Sequence, residues 1–281
     1  MRVRFGFHVS IAGGFSKVRA RADEVECETL QLFTRNPRSW RVKPLDDSDV
    51  AGFHDRMEDS GISPLFTHAA YLPNLAASGS ELAERSVSGV ADDMERSARL
   101  GIPFVIAHAG RAGDVGESKG IRCVAANINR IVSVAPESVM LLVENTAGMG
   151  TEVGYRFEQL ADILDAVDCS DRVGVVLDTA HLFAAGYDLG VASGVDDVIR
   201  EFDRVVGLGR LYLLHLNDSK SKCGSRVDRH WHIGQGAIGL EGFRAIVNHP
   251  LLRHMPAILE TPRRNAADDK RNLLAIRRLL N

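Results

Sequence analysis

Short, nearly uninterrupted apolar runs alternate along the chain with longer amphipathic stretches. The runs are Val3 to Val9, Thr29 to Phe33, Pro64 to Thr67, Phe104 to Ala107, Met140 to Val143, Val173 to Leu177, Leu211 to Leu214 and Ala257 to Leu259. Their aliphatic, β-branched character with little polar alternation predicts strands buried on both faces of a parallel sheet. Between them, Glu81 to Leu100, Ile121 to Val134, Arg156 to Val167, Asp196 to Val206 and Asp268 to Leu280 read as helices. In the last of these, Leu273, Ile276, Leu279 and Leu280 recur at helical spacing and leave the charges on the opposite face. Strand then helix, repeated eight times in 281 residues, predicts an α/β chain folded as a (β/α)₈ TIM barrel rather than an open doubly wound sheet. No Pro/Gly/Ser-rich linker and no composition break divides the chain, so residues 1–281 are expected to form a single domain.

Composition narrows the function without choosing it. With 45% hydrophobic residues the chain can bury a large core, and 34 basic against 37 acidic residues give a net charge of -3. There is no global pull toward nucleic acid, so any polyanion site has to be a local basic patch. Cys27, Cys123, Cys169 and Cys223 form no CxxC pair, which argues against a thiolate zinc site and a disulfide framework. The N-terminus lacks the apolar core of a signal peptide, and no run reaches the ~20 apolar residues of a membrane span. A soluble, cytoplasmic protein with no membrane partner is expected.

The chemistry lies at the ends of the predicted strands. His68 closes the third, His108 the fourth, Glu144 the fifth, Asp178 the sixth, His215 the seventh and Glu260 the eighth. In a (β/α)₈ barrel all C-terminal strand ends open on one rim, where active sites are built. A lone histidine after a strand is usually a hydrogen-bonded loop residue, and Asp178 or Glu144 alone could be helix caps. One ligand-type residue per strand over six successive strands is not explained that way. His181 follows Asp178 by three positions, and the stretch HLNDSKSKCGSRVDRHWHIG after the seventh strand adds Asp228 and His230. Nine nitrogen and oxygen donors exceed what one ion can hold, so two or three ions are expected, zinc first and manganese second by ligand type. Such clusters suit phosphate ester hydrolysis. Two basic rim loops fit a polyanion: Arg35, Arg38, Arg41 and Lys43 after the second strand, and Lys220, Lys222, Arg226 and Arg229 after the seventh.

These stretches, with LVENTAGMG (Leu142 to Gly150), DTAHLFAAGYD (Asp178 to Asp188), LFTRNPRSW (Leu32 to Trp40) and LETP (Leu259 to Pro262), resemble endonuclease IV, the metal-dependent apurinic/apyrimidinic endonuclease family, nearly end to end. The resemblance implies a (β/α)₈ barrel with three zinc ions that acts in base excision repair. It implies cleavage of double-stranded DNA on the 5′ side of an abasic nucleotide, leaving 3′-hydroxyl and 5′-deoxyribose phosphate ends, and trimming of blocked 3′ ends by a monomer. Carried over residue by residue, it gives His68, His108 and Glu144 to a first ion, Glu144, Asp178, His215 and Glu260 to a second, and His181, Asp228 and His230 to a third. It gives Glu144 and Glu260 the catalytic role of orienting the attacking hydroxide, and sends Arg38, Tyr71 and Leu72 into the DNA minor groove, where an absent base makes flipping cheapest.

Two positions depart from the family pattern. Trp231 directly follows His230, where its indole is placed to shift the third site or touch DNA, and Ala180 stands where cysteine is common. His8 and His232 are further candidates for supporting the ligands or contacting phosphate. A metal-dependent sugar isomerase or epimerase on the same barrel would use Glu144, Asp178, His215 and Glu260 but leave the other donors and both basic loops without a role. A damaged-DNA binding module would instead close its metal sites with four ligands.

Overall fold

In the computed structural model, which describes residues 2–281, eight parallel strands close into a barrel, the first pairing with both the second and the last. In chain order the elements are β1 (Arg4–His8), α1 (Val18–Glu24), β2 (Thr29–Phe33), α2 (Asp47–Met57), β3 (Leu65–His68), α3 (Glu81–Arg99), β4 (Phe104–His108), α4 (Glu117–Val134), β5 (Met140–Glu144) and α5 (Phe157–Asp165). They continue as β6 (Val173–Asp178), α6 (Thr179–Ala185), α7 (Ala192–Val205), β7 (Leu211–His215), β8 (Asp218–Ser219), β9 (His230–Trp231), α8 (Gly239–Asn248), β10 (Pro256–Leu259) and α9 (Ala266–Arg277). Each apolar run of the sequence is a barrel strand to within a residue or two. The two-residue strands β8 and β9, which pair antiparallel inside the long loop after β7, were not expected. They are too short to show any periodicity.

The barrel carries two cores because strand side chains alternate between faces. Outward-facing residues such as Phe5, Leu30, Val105, Leu141, Val175 and Leu214 join the helices in one continuous cluster. Inside, Phe66, Ile106, Leu142, Val176, Leu213 and Ile258 form a separate plug, one residue from each of six strands. Two residues further along each of those strands, on the same inward face, stand His68, His108, Glu144, Asp178, His215 and Glu260. The period of two that plugs the barrel with hydrocarbon therefore also lifts six polar groups into the next layer. The remaining two strands continue the pattern, with Gly6 two residues before His8 and Thr29 two before Gln31. A Cβ on Gly6 would overlap the Thr29 carbonyl, so only glycine lets β1 and β2 approach this closely.

Candidate metal centre

Three groups of donors converge on the rim, each with its donor atoms within 4.8 Å of one another: His68, His108 and Glu144; Glu144, Asp178, His215 and Glu260; and Asp178, His181 and His230. Glu144 and Asp178 each belong to two groups. Asp228 joins the last, its carboxylate 3.3 Å from His181 Nε2 and 3.4 Å from His230 Nε2. A cavity of about 320 Å³ above them is walled by Phe33, Tyr71 and Arg263 together with His68, His108, His181, Asp228, His230 and Glu260. A larger cleft of about 980 Å³ adjoins it across His8 and Phe33, between the loops after β1 and β2, and is edged by Arg41 and Lys43.

The imidazoles of His68, His181 and His230 are each aimed by a hydrogen bond on the far nitrogen. His68 Nδ1 donates to the Ala69 carbonyl at 2.7 Å, and its Nε2 faces Glu144 Oε2 at 3.1 Å. His108 Nε2 stands 3.1 Å from the same oxygen. His181 Nδ1 donates to the Asn145 carbonyl at 2.9 Å and His230 Nδ1 to the Glu260 carbonyl at 3.3 Å. Their Nε2 atoms then face each other at 3.4 Å. When both rings are neutral, the two Nε2 lone pairs face each other across that gap, an arrangement that a cation stabilises. His215 is the reverse case: Nε2 donates to Gln31 Oε1 at 2.8 Å and Nδ1 faces Glu144 at 2.9 Å.

The charge balance points the same way. Glu144 and Asp178 are wholly buried and the Glu260 side chain is only 20% exposed, yet among the described residues no lysine or arginine pairs with any of the four carboxylates. Burial pushes the Glu144 carboxyl up, but His215 and His108 outweigh it and hold it well below the usual range. Burial likewise opposes ionisation of Glu260, against His215 and the hydrogen bond with His8, and the net shift is downward. Burial disfavours a charged His215, while Glu260, Glu144 and Asp178 raise it to about 9. Burial opposes a charged His181 as well, yet Asp178 and Asp228 raise it well above its ordinary value. Protons on the imidazoles thus neutralise the carboxylates when nothing else does. Divalent ions bound by neutral imidazole and ionised carboxylate serve the same purpose, so the donor set fits a multinuclear metal site.

Comparison with known proteins agrees with this geometry. A family model described as a xylose isomerase-like TIM barrel matches residues 19–280. The probable endonuclease 4 of Chloroflexus aggregans is 45% identical over 99% of this chain and 98% of its own length. The chain belongs to the endonuclease IV family. The crystal structure of endonuclease IV from Thermus thermophilus matches with a TM-score of 0.88 at 39% identity, covering 98% of each chain. A D-tagatose 3-epimerase-like protein shares the fold, with a TM-score of 0.75 and coverage of 99% of this chain and 98% of its own, but only 18% identity.

Within this endonuclease IV barrel the expected residues fall as follows. All nine donor residues meet at one mouth. Asp178 is both a helix cap and a member of the cluster: Oδ1 accepts from His181 N at 2.9 Å, while Oδ2 accepts from Asn217 Nδ2 at 2.6 Å. Tyr71 is 60% exposed, its ring edge-on to Phe33, and its N–H donates to the Pro37 carbonyl at 3.0 Å, which ties the loop after β3 to the loop after β2. Leu72 is half-buried beside it and Arg38 is exposed.

Three expectations change. Arg35 is not part of a basic rim, because it is buried with Nε 2.8 Å and Nη2 2.9 Å from the two oxygens of Asp93 and fastens the loop after β2 to α3. The other seven basic residues of the two loops are exposed. His232 is buried too, and its Nδ1 meets Asn272 Nδ2 of α9 at 3.1 Å, away from the donors. Trp231 lies across β9 from His230, with Lys220 Nζ 4.2 Å above its ring. Sequence reasoning missed Gln31, whose Nε2 donates to Glu260 at 2.6 Å and lies 2.8 Å from His8 Nδ1, and it missed Asn145 and Asn217, which hold Asp178 and His181. A single amide inside the apolar run TLQLF was the available signal.

Proposed function

We propose that this endonuclease IV family protein is a metal-dependent apurinic/apyrimidinic endonuclease of DNA repair that works with three zinc ions. The observation that carries the reading is the sharing of Glu144 and Asp178 among three donor groups on one open cavity. His68, His108 and Glu144 would hold one ion, Glu144, Asp178, His215 and Glu260 a second, and His181, Asp228 and His230 a third. Four carboxylates and neutral imidazoles are balanced by two divalent ions, and a third leaves net positive charge to attract a phosphodiester. When bound, the ions polarise the phosphate and make water a nucleophile at neutral pH.

The chain's own groups supply orientation. Gln31 and His8 occupy Glu260 Oε1, so Oε2 is the oxygen turned toward His215 and the cavity, and there it orients and takes the proton of the attacking water. Glu144, buried below, fixes the imidazoles on both sides. Tyr71 and Leu72 enter the minor groove with Arg38, prise the stack apart and let the abasic nucleotide enter the cavity, while Arg41 and Lys43 after β2 and Lys220, Lys222 and Arg229 after β7 hold the backbone. Double-stranded DNA with abasic sites or blocked 3′ ends is the substrate, cleaved by a monomer. No helix among the described residues is long and apolar enough to cross a membrane.

Cleavage of an abasic-site duplex, with product ends identified, should vanish with chelator and return with zinc. Glu260→Gln should keep DNA binding and lose turnover by about 10²–10⁴-fold, the range for a positioned acid or base. Wild-type cutting by that variant removes Glu260 from the chemistry. Chelator-resistant cutting would remove the metals.

A further inference from the structure

Asp228 and His230 lie in a loop rather than at the end of a barrel strand, so something else has to hold them. Apart from bonds inside the loop itself, the backbone from 222 to 229 is tied to the rest of the protein by Gly224 N to the Phe183 carbonyl at 3.0 Å, Arg226 N to the Ala184 carbonyl at 2.9 Å, and Asp228 N to the soft acceptor Met149 Sδ at 3.4 Å. Arg226 is also in the left-handed region, with φ of 52°. That conformation is uncommon for a long side chain and persists where surrounding contacts impose it. Two contacts do so here. Arg226 Nη2 donates to the Tyr155 hydroxyl at 3.0 Å, and the guanidinium lies 4.5 Å from the centre of the same ring. Tyr155 is buried, belongs to the loop that follows Glu144, and is seated over Gly148, where a Cβ would meet its ring.

We infer that Arg226 and Tyr155 form a latch that positions Asp228 and His230 for the third metal ion, so that Arg226 is a positioning residue for that ion rather than one more cation for DNA. The inference rests on the three-ion reading above. The latch joins the loop after β7 to the loop after β5 and to α6, the elements that carry Glu144 and His181. Its strained backbone sets the direction in which the chain leaves toward Asp228, two residues on. Guanidinium is suited to this, since it can donate to the hydroxyl and lie over the ring at once, whereas an ammonium at the same position can do only one.

The test is zinc binding by metal-stripped protein, titrated against a chromogenic chelator, for wild type, Asp228→Asn, Arg226→Gly, Arg226→Lys and Tyr155→Phe. Glycine tolerates the left-handed backbone, so Arg226→Gly removes the side chain without adding strain. It should weaken one zinc ion of three by about 10–100-fold, the usual effect of losing a group that orients a ligand, and leave two unchanged. Arg226→Lys should fail to restore it, and Tyr155→Phe should weaken the same ion by a smaller factor. If Arg226→Gly unfolds, the lysine and phenylalanine variants carry the test. Zinc binding like wild type in these variants, with only a raised KM for DNA, would overturn the latch and make Arg226 a backbone contact. If Asp228→Asn itself binds as much zinc as wild type, the three-ion reading is wrong and the latch falls with it.

Discussion

The floor of the metal centre and its outer wall are built by different means. On the floor, Glu144, Asp178 and His215 are wholly buried, each fixed by a barrel strand whose preceding inward residue belongs to the hydrocarbon plug. The Gln31 and Asn217 amides then set which nitrogen of His215 and which oxygen of Asp178 points at the centre, while the Asn145 amide holds the Asp178 backbone. On the wall, Asp228 has a side chain 38% exposed and hangs on a loop held by a handful of bonds. Two of the floor donors, Glu144 and Asp178, are shared between groups, whereas Asp228 serves one. Removing a shared floor carboxylate should therefore affect several ions, and removing a wall residue only one.

The most severe break of that contrast is Glu144→Gln. An amide cannot bridge as a carboxylate can, and the imidazoles of His68, His108, His181 and His215 lose the charge that faces them. Two ions should be lost together, with activity down by roughly 10⁴-fold, the scale for removing a member of a catalytic unit. Metal analysis of the purified variant checks it: loss of a single ion would mean that the floor is not shared.

Much of the floor was legible in the sequence, and the reason is geometric. Strand alternation makes His68 follow Phe66, and Glu144 follow Leu142, on the same face, so locating the apolar runs located the candidate donors. The supporting amides were not legible, because Gln31, Asn145 and Asn217 act through contacts between strands far apart in the chain. Arg35 was misassigned for the same reason. Its partner Asp93 lies 58 residues away on α3, and a basic residue in a basic stretch looks like surface until that carboxylate is in view. The antiparallel pairing of β8 with β9 escaped notice because a two-residue strand carries no period.

A second, smaller test uses pH on metal-stripped protein. Floor and wall titrate in opposite directions. Burial works against a charged His215, but Glu260 and Glu144 lift it from 6.5 to about 9, so its contribution to stability is complete below pH 6.5 and is lost as pH rises through about 9. Burial works against ionised Asp228, but His181 and His230 lower it from 3.8 to about 2, so its contribution is present above pH 3.8 and is lost as pH falls through about 2. The stripped protein should thus melt highest between these limits and lose several degrees toward pH 9. Zinc needs the neutral imidazole, so the loaded protein should hold or gain stability over that same rise. Melting curves from about pH 4 to 9.5, with and without zinc, decide it. A stripped protein that grows more stable toward pH 9 would show that the floor imidazoles are not balancing the buried carboxylates.

The smallest effect belongs to Trp231, and it bears on whether the wall is one unit or two faces. In β9 successive side chains point to opposite sides, so His230 turns to the metal cavity and Trp231 turns away, opposite Asp218 of β8. The indole there lies under the Lys220 ammonium, a contact worth about 0.5–1 kcal/mol at an exposed site. Asp218 is fixed independently, its carboxylate accepting from the backbone N–H groups of Ser219, Gly236 and Ile238 at 2.8–3.0 Å, so the short hairpin does not depend on the indole for its register. Trp231→Ala should lower the unfolding free energy of the zinc-loaded protein by about that amount plus the lost packing. Zinc affinity and turnover should stay within about twofold of wild type, as for a surface change that touches no ligand. Urea unfolding and chelator competition on one preparation measure both. Should Trp231→Ala instead weaken one zinc ion as far as Arg226→Gly is expected to, the two sides of β9 act together, and the wall ligands are held by the whole loop rather than by the contact between Arg226 and Tyr155.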